Sequence, residues 1–145
     1  MKLSALYQIF LDCQSVTTDS RNCPDGSLFI ALKGESFNGN AFAKLALDSG
    51  CAFAIIDEIQ YAVEGDQRYI LVDDCLQTMQ QLANYHRRQL GTRVIGITGT
   101  NGKTTTKELI SSVLCQNHNV LYTLGNLNNH IGVPTTLLRL KPEHD

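Results

Sequence analysis

The chain has 145 residues, 43% hydrophobic and 18% charged, with a formal net charge of −2, a pI near 6.0 and a mean hydropathy of −0.11. This is the composition of a globular chain of one domain, or of two pieces of a larger protein. It excludes a strongly basic nucleic-acid-binding surface, and no apolar run approaches the length that spans a bilayer.

In chain order, the first 15 residues, MKLSALYQIFLDCQS, read as an amphipathic helix and lack the long apolar region and small-residue cleavage site of a signal peptide. A strand is predicted over residues 27–32, after the turn Pro24-Asp25-Gly26. Residues 33–40 form a polar, glycine-containing loop. Residues 41–49 carry helical spacing (Phe42, Leu45, Ala46), with Gly50 as the closing residue. Residues 52–56 and 69–72 are further strands. Asp73 or Asp74 then caps a long helix with apolar residues at Leu76, Met79, Leu82, Ala83 and Leu90. Alternation of this kind specifies an α/β fold. Gly91-Thr92 breaks the pattern and divides the chain into residues 1–91 and 92–145. The only basic cluster, His86-Arg87-Arg88, ends the long helix, where cations complement the dipole.

The second part opens with VIGITGTNGKTTT, residues 94–106. A predicted strand over 94–97 enters a glycine-bounded turn, and a helix follows from Lys103 to about Asn117. Glycines allow backbone N–H groups close to an anion, a helix N-terminus adds partial positive charge, and a lysine reaches the outer phosphates. Gly99, Thr100, Asn101, Gly102, Lys103, Thr104 and Thr105 are therefore the expected ATP-binding residues, with the Thr104 hydroxyl as the expected Mg²⁺ ligand. The commonest phosphate-loop form needs glycine where Ile97 stands, which argues against a kinase of that type. A strand over 120–123 leads into the loop from Leu124 to Pro134.

Cys13, Cys23, Cys51, Cys75 and Cys115 form no C-x-x-C pair and have no histidines at zinc-ligand spacing. Their odd number argues against a secreted disulfide framework and favours small buried thiols in a reducing compartment. A cytoplasmic protein is expected.

Three motifs then stand together in order: Thr18-Asp19-Ser20-Arg21 with Leu28-Phe29-Ile30-Ala31-Leu32-Lys33-Gly34-Glu35, then Thr98 to Thr106, then Gly125-Asn126-Leu127-Asn128-Asn129-His130-Ile131-Gly132-Val133-Pro134. Together they closely resemble the Mur ligases, the ATP-dependent amide-forming enzymes of bacterial peptidoglycan synthesis. The shortened phosphate loop is that family's own form. The last loop looks most like the branch that adds D-alanyl-D-alanine to a UDP-N-acetylmuramoyl-tripeptide. The branch that adds the third residue usually carries a Thr-Thr-containing loop there.

The resemblance covers essentially the whole chain but about the first third of such an enzyme. It implies a first domain that holds the UDP-sugar and a central domain that binds ATP. It also implies that the rest of the central domain and a third domain lie beyond residue 145. By the same resemblance Thr18, Ser20, Glu35, Ser36 and Phe37 lie at the UDP-sugar. Asn126, Asn128 and Asn129 stand past a predicted strand's carboxyl end, at the crevice α/β proteins use for ligands, where their amides suit a carbonyl-rich muramoyl-peptide. Lys103 is the residue expected to act in the chemistry. Simpler readings stand beside these: a plain turn with a local ion pair at Asp19-Ser20-Arg21, a core role for Phe37, and structural caps for the asparagines. The alternatives for the whole are the third-residue-adding ligase, a folylpolyglutamate synthase, against which residues 1–91 argue, and a non-catalytic nucleotide-binding module. The 145 residues by themselves are not expected to complete the reaction. With a half-built second sheet they are expected to be poorly stable or to associate.

Overall fold

The computed structural model describes residues 1–125 and 127–145. They divide into two compact units, Met1–Leu82 and Ala83–Asp145.

In the first unit, helix α1 (Leu3–Asp12) places Leu6, Tyr7 and Phe10 on one buried face, and the Tyr7 and Phe10 rings stack with centroids 5.9 Å apart. Four strands follow: β1 (Val16–Thr17), β2 (Leu28–Ile30), β3 (Phe53–Ile56) and β4 (Tyr69–Leu71). They form one sheet in the order β1-β2-β3-β4, parallel at every pairing, with Leu28 opposite Phe53 and Ile55 opposite Ile70. β2 is apolar at every position and buried at every position, which is how a parallel strand covered on both faces reads. Removing a side chain such as Phe29 from water contributes about 1.5–3 kcal/mol.

The predicted α/β class is thus the observed one. β1 escaped prediction because two residues carry no periodicity. The helix expected over 41–49 is a 3₁₀ turn (Gly39–Phe42) followed by α2 (Ala43–Asp48), which Gly50 closes at φ +118°. Helix α3 (Cys75–Leu90) begins after Asp74, whose Oδ1 accepts from the Gln77 N–H at 2.7 Å. Because all four strands run the same way, residues 18–21, 33–38, 57–58 and 72–74 all leave the sheet at its carboxyl edge. That is where open α/β sheets present their ligand loops.

The second unit holds helices α4 (Lys103–Leu114) and α5 (Gly132–Leu137). The buried His86 near the end of α3 meets the Leu140 carbonyl through Nε2 at 2.9 Å. Residues 94–97 and 120–123, predicted as strands, are not strands among the described residues. A β-former becomes a strand only when a neighbouring chain takes its N–H and C=O groups, and no ladder reaches either segment here. Both segments instead border a cavity of about 490 Å³ that Ile110, Leu114 and Leu137 also line.

Helix α4 stops at Leu114, three residues short of the predicted end. The predicted loop is cut short by α5, which accepts Pro134 because a first-turn residue needs no N–H. The cysteines are free, but only Cys51 and Cys75 are buried; Cys13 and Cys23 are half-buried and Cys115 is exposed, so the expected burial holds for two of five. Burial pushes the Cys75 thiol up to about 12, which keeps it protonated and inert. Among the described residues no helix is long and apolar enough to cross a membrane.

Candidate functional site

Two groups of residues present polar atoms to solvent in an organised way. The first is the turn that opens α4. Gly99 has φ +146° and Gly102 φ +76°, conformations a residue with a Cβ adopts only under strain. Gly102 is the residue before the helix, and its carbonyl takes the first intrahelical bond, from the Thr106 N–H at 2.9 Å. The N–H groups of Lys103, Thr104 and Thr105 have no acceptor within the helix, and among the described residues no side chain caps the end. They open on a cleft of about 520 Å³ lined by Thr100, Asn101, Gly102, Lys103, Thr104, Thr105 and Asn128. The Lys103 ammonium is folded over this turn, donating to the Gly99 carbonyl and, at 3.5 Å, to that of Thr100.

Every residue predicted for ATP except Gly99 therefore lines one cleft, and the Gly99 carbonyl takes the Lys103 ammonium. Of the predicted asparagines, Asn128 joins this cleft. Asn129 has its Oδ1 committed to the start of α5, accepting from Ile131 and Gly132 at 3.2 and 2.7 Å, which is the capping role. Asn126 lies outside the described residues.

Sequence reasoning passed over Lys107, one turn along α4. Its Nζ donates to the Thr123 carbonyl at 2.6 Å and to the Gly125 carbonyl at 3.5 Å, and lies 2.8 Å from Glu108 Oε1. It also sits 5.8 Å from the centre of the Tyr122 ring. This one ammonium fixes the segment that delivers Asn128. Its position four residues after Lys103, on the same side of the helix, was the available signal.

The second group sits at the carboxyl edge of the first unit's sheet. After β1, Thr17 Oγ1 donates to the Asn22 carbonyl at 2.9 Å and accepts from the Asp19 N–H at 3.2 Å, closing a turn that carries the half-exposed Thr18 and Ser20. Within it Arg21 forks onto Asp19, with Nε–Oδ1 and Nη2–Oδ2 both at 2.9 Å, and the Arg21 hydrogen bonds hold the Asp19 carboxyl down to about 2. The local ion pair of the simpler reading is present. After β2, Glu35, Ser36 and Phe37 are all exposed, Phe37 by 55%, so Phe37 is not core. Its ring lies over Gly34, where an added Cβ would stand 2.3 Å from Cε1.

An all-parallel sheet that sends polar loops off one edge in the first unit, and a helix opened by a glycine turn and a lysine in the second, are features of the class of nucleotide-handling α/β proteins. Residues 12–87 match the catalytic domain of the Mur ligase family and residues 97–145 the Mur ligase middle domain, and the chain belongs to that family. It is similar to the UDP-N-acetylmuramoyl-tripeptide–D-alanyl-D-alanine ligases of Bacillus subtilis (47% identity over 129 residues, 89% of this chain and 28% of the relative) and of Escherichia coli K12 (44% over 131 residues, 90% and 28%). Among solved structures it resembles MurF from Acinetobacter baumannii, with a TM-score of 0.84 at 35% identity over 99% of this chain and 34% of that one. It also resembles MurF ligase from Thermotoga maritima in complex with ADP, with a TM-score of 0.80 at 31% identity over 93% and 31%. The chain spans about a third or less of the length of these relatives.

Proposed function

We propose that this chain is the N-terminal part of an ATP-dependent ligase that joins D-alanyl-D-alanine to UDP-N-acetylmuramoyl-tripeptide. In this reading residues 1–91 hold the UDP-sugar end of the precursor, and residues 92–145 begin the ATP-binding domain. The remainder of that domain and a third domain complete the sites. Its co-substrates, ATP and a nucleotide-activated sugar, assign the reaction to the cytoplasm. The observation that carries the proposal is the turn before α4, shaped by two positive-φ glycines, where three N–H groups uncapped among the described residues and one ammonium border a single cleft. The names of the curated relatives supply the choice of amine and peptide.

Chemically, a carboxylate oxygen of the UDP-linked peptide attacks the γ-phosphorus of ATP. The bond to the ADP oxygen breaks and an acyl phosphate results. The amine of D-alanyl-D-alanine then attacks the acyl carbon, phosphate leaves, and the nitrogen gives up a proton as the amide forms. Phosphoryl transfer asks the protein chiefly for positioning and charge neutralisation. The backbone N–H groups of residues 103–105 bind phosphate oxygens along the helix axis, Lys103 exchanges its loop carbonyls for the outer phosphates, and Asn128 offers an amide to the acyl substrate.

Thr104 places one hydroxyl on the cleft, and among the described residues no group of three or more His, Cys, Asp or Glu could hold a metal. A threonine hydroxyl fits one of the several oxygen ligands that Mg²⁺ would take there. When bound there, the ion neutralises charge on the β- and γ-phosphates. The test is ADP release by the full-length ligase that carries this chain. Release that requires both UDP-N-acetylmuramoyl-tripeptide and D-alanyl-D-alanine is expected. Equal release with UDP-N-acetylmuramoyl-dipeptide and a single diamino acid as the substrate pair would reassign the enzyme to the preceding ligation step.

A further inference from the structure

Between β2 and the Gly39–Phe42 turn the chain makes a small hairpin. Lys33 and Asn38 are bridged in antiparallel fashion, and the Gly34 N–H donates to the Phe37 carbonyl at 3.0 Å. Both feet of this hairpin reach the two carboxylates that follow β3. Lys33 Nζ lies 3.1 Å from Asp57 Oδ1 and 3.5 Å from Glu58 Oε1. Asn38 Nδ2 donates to Glu58 Oε1 and Oε2 at 3.1 and 3.2 Å.

Asn40, 1% exposed, locks the base from beneath. Its Nδ2 donates to Asn38 Oδ1 at 2.9 Å and to Asp57 Oδ1 at 2.8 Å, while its Oδ1 accepts from the Asp57 N–H at 3.0 Å. The Asp57 side chain is 3% exposed, and its Oδ2 takes the Cys75 N–H at the start of α3, 3.2 Å away.

A buried carboxylate and a buried amide are costly unless every partner is in place, and apolar residues of the same volume would hold the sheet at least as well. What the polar set adds is a fixed geometry for the hairpin above it. That hairpin carries Glu35, Ser36 and Phe37 exposed at its tip, and Gly34 leaves the room in which the Phe37 ring lies. A rigid base under an exposed tip is the arrangement that lowers the ordering cost of binding.

We propose that Asn40, Asp57 and Glu58 are positioning residues that preset the 34–37 hairpin for the UDP-sugar, with Gly34 admitting the Phe37 ring as a platform for the base. This rests on the assignment of that hairpin to the UDP-sugar. The experiment uses the full-length ligase that carries this chain, with Asn40→Ala, Glu58→Ala and Glu58→Gln. Amide hydrogen exchange is followed at residues 34–38 and in β3. Titration calorimetry is run with UDP-N-acetylmuramoyl-tripeptide and, as control, with the ATP analogue AMP-PNP.

Asn40→Ala and Glu58→Ala are expected to speed exchange at Gly34 and to weaken the UDP compound by about tenfold, the scale of one charge-assisted hydrogen bond. AMP-PNP affinity and β3 exchange stay unchanged, and Glu58→Gln, which keeps an oxygen for Asn38, recovers most of the loss. Should Asn40→Ala fail to fold, the partly exposed Glu58 supplies the same comparison. Unaltered exchange at Gly34 in a folded Glu58→Ala overturns the proposal, as does equal UDP-compound affinity in wild type and variants. Absence of binding by the wild type itself removes the UDP-sugar assignment, and the positioning role with it.

Discussion

The two units use the same kinds of residue to different effect. In Met1–Leu82 the β-formers are paired and covered: Phe29, Ile30, Ile55 and Ile56 have almost no exposed surface. In Ala83–Asp145, Val94 and Ile95 are 54% and 62% exposed, and Leu109 and Val113 of α4 also face outward. Helices α4 and α5 form regardless, because a helix satisfies its own backbone, whereas a strand borrows its partners from elsewhere. The glycine turn before α4 belongs with the helices in this respect. Its glycines, its lysine and its N–H groups lie within seven consecutive residues, so its shape does not wait for a sheet.

The sharpest test of this contrast is Lys103→Ala in the full-length ligase. ATP-dependent turnover should fall roughly 100-fold or more, the scale of losing one preorganised charge-stabilising donor, while affinity for the UDP compound is unchanged. Near-normal ADP release would remove the turn from the chemistry altogether.

Next in size is a pair of glycines. At Gly39 an added Cβ would stand 2.3 Å from the Leu32 carbonyl oxygen, against the end of the buried strand, so Gly39→Ala should cost about 1–3 kcal/mol in urea unfolding of the first unit. At Gly132 the clash is with the Leu127 backbone at 2.5 Å, in an exposed loop that can move. Gly132→Ala should leave that unfolding transition in place and shift the amide resonances of residues 127–129. Equal losses at both sites would erase the difference in packing between the units.

Acid should act on the first unit through Asp57. Burial works to raise the Asp57 pKa, but the Asn40 amide, the Cys75 N–H and the Lys33 ammonium outweigh it and hold it below the ordinary 3.8. The unfolded chain therefore takes up this proton first. The stabilisation is whole above the ordinary carboxylate value and drains away as pH falls through the lower folded one. Urea midpoints measured from about pH 6 to pH 3 should decline in wild type and be flatter in Asp57→Asn. The smallest effect is expected at Asp74→Ala, where loss of the cap of α3 should cost about 1 kcal/mol. A change within error there would mean that water replaces the carboxylate.

The predicted elements that survived were those whose signal is local. The apolar run at Leu28–Ile30, the cap at Asp74 and the turn at Gly99 to Thr104 each state their structure within a few residues. β1 did not, because a two-residue strand is defined by its neighbour β2. Nor could residues 94–97 and 120–123 declare whether anything pairs with them. Asn40 and Asp57 are 17 positions apart, and only the parallel pairing of β2 with β3 brings them together, so their network had no sequence signature. Asn129 was visible as an asparagine; its place at the start of α5 depended on seeing that helix begin.

Lys107 has a consequence for the cleft as a whole. An ammonium has three protons, and here the carbonyls of Thr123 and Gly125 and the carboxylate of Glu108 are there to take them. Among the described residues that border the cleft before α4, Lys103 is then the one cation. A lineage that lost it could not recover by swinging a neighbour into place, since doing so would unfasten the very segment that brings Asn128 to the cleft.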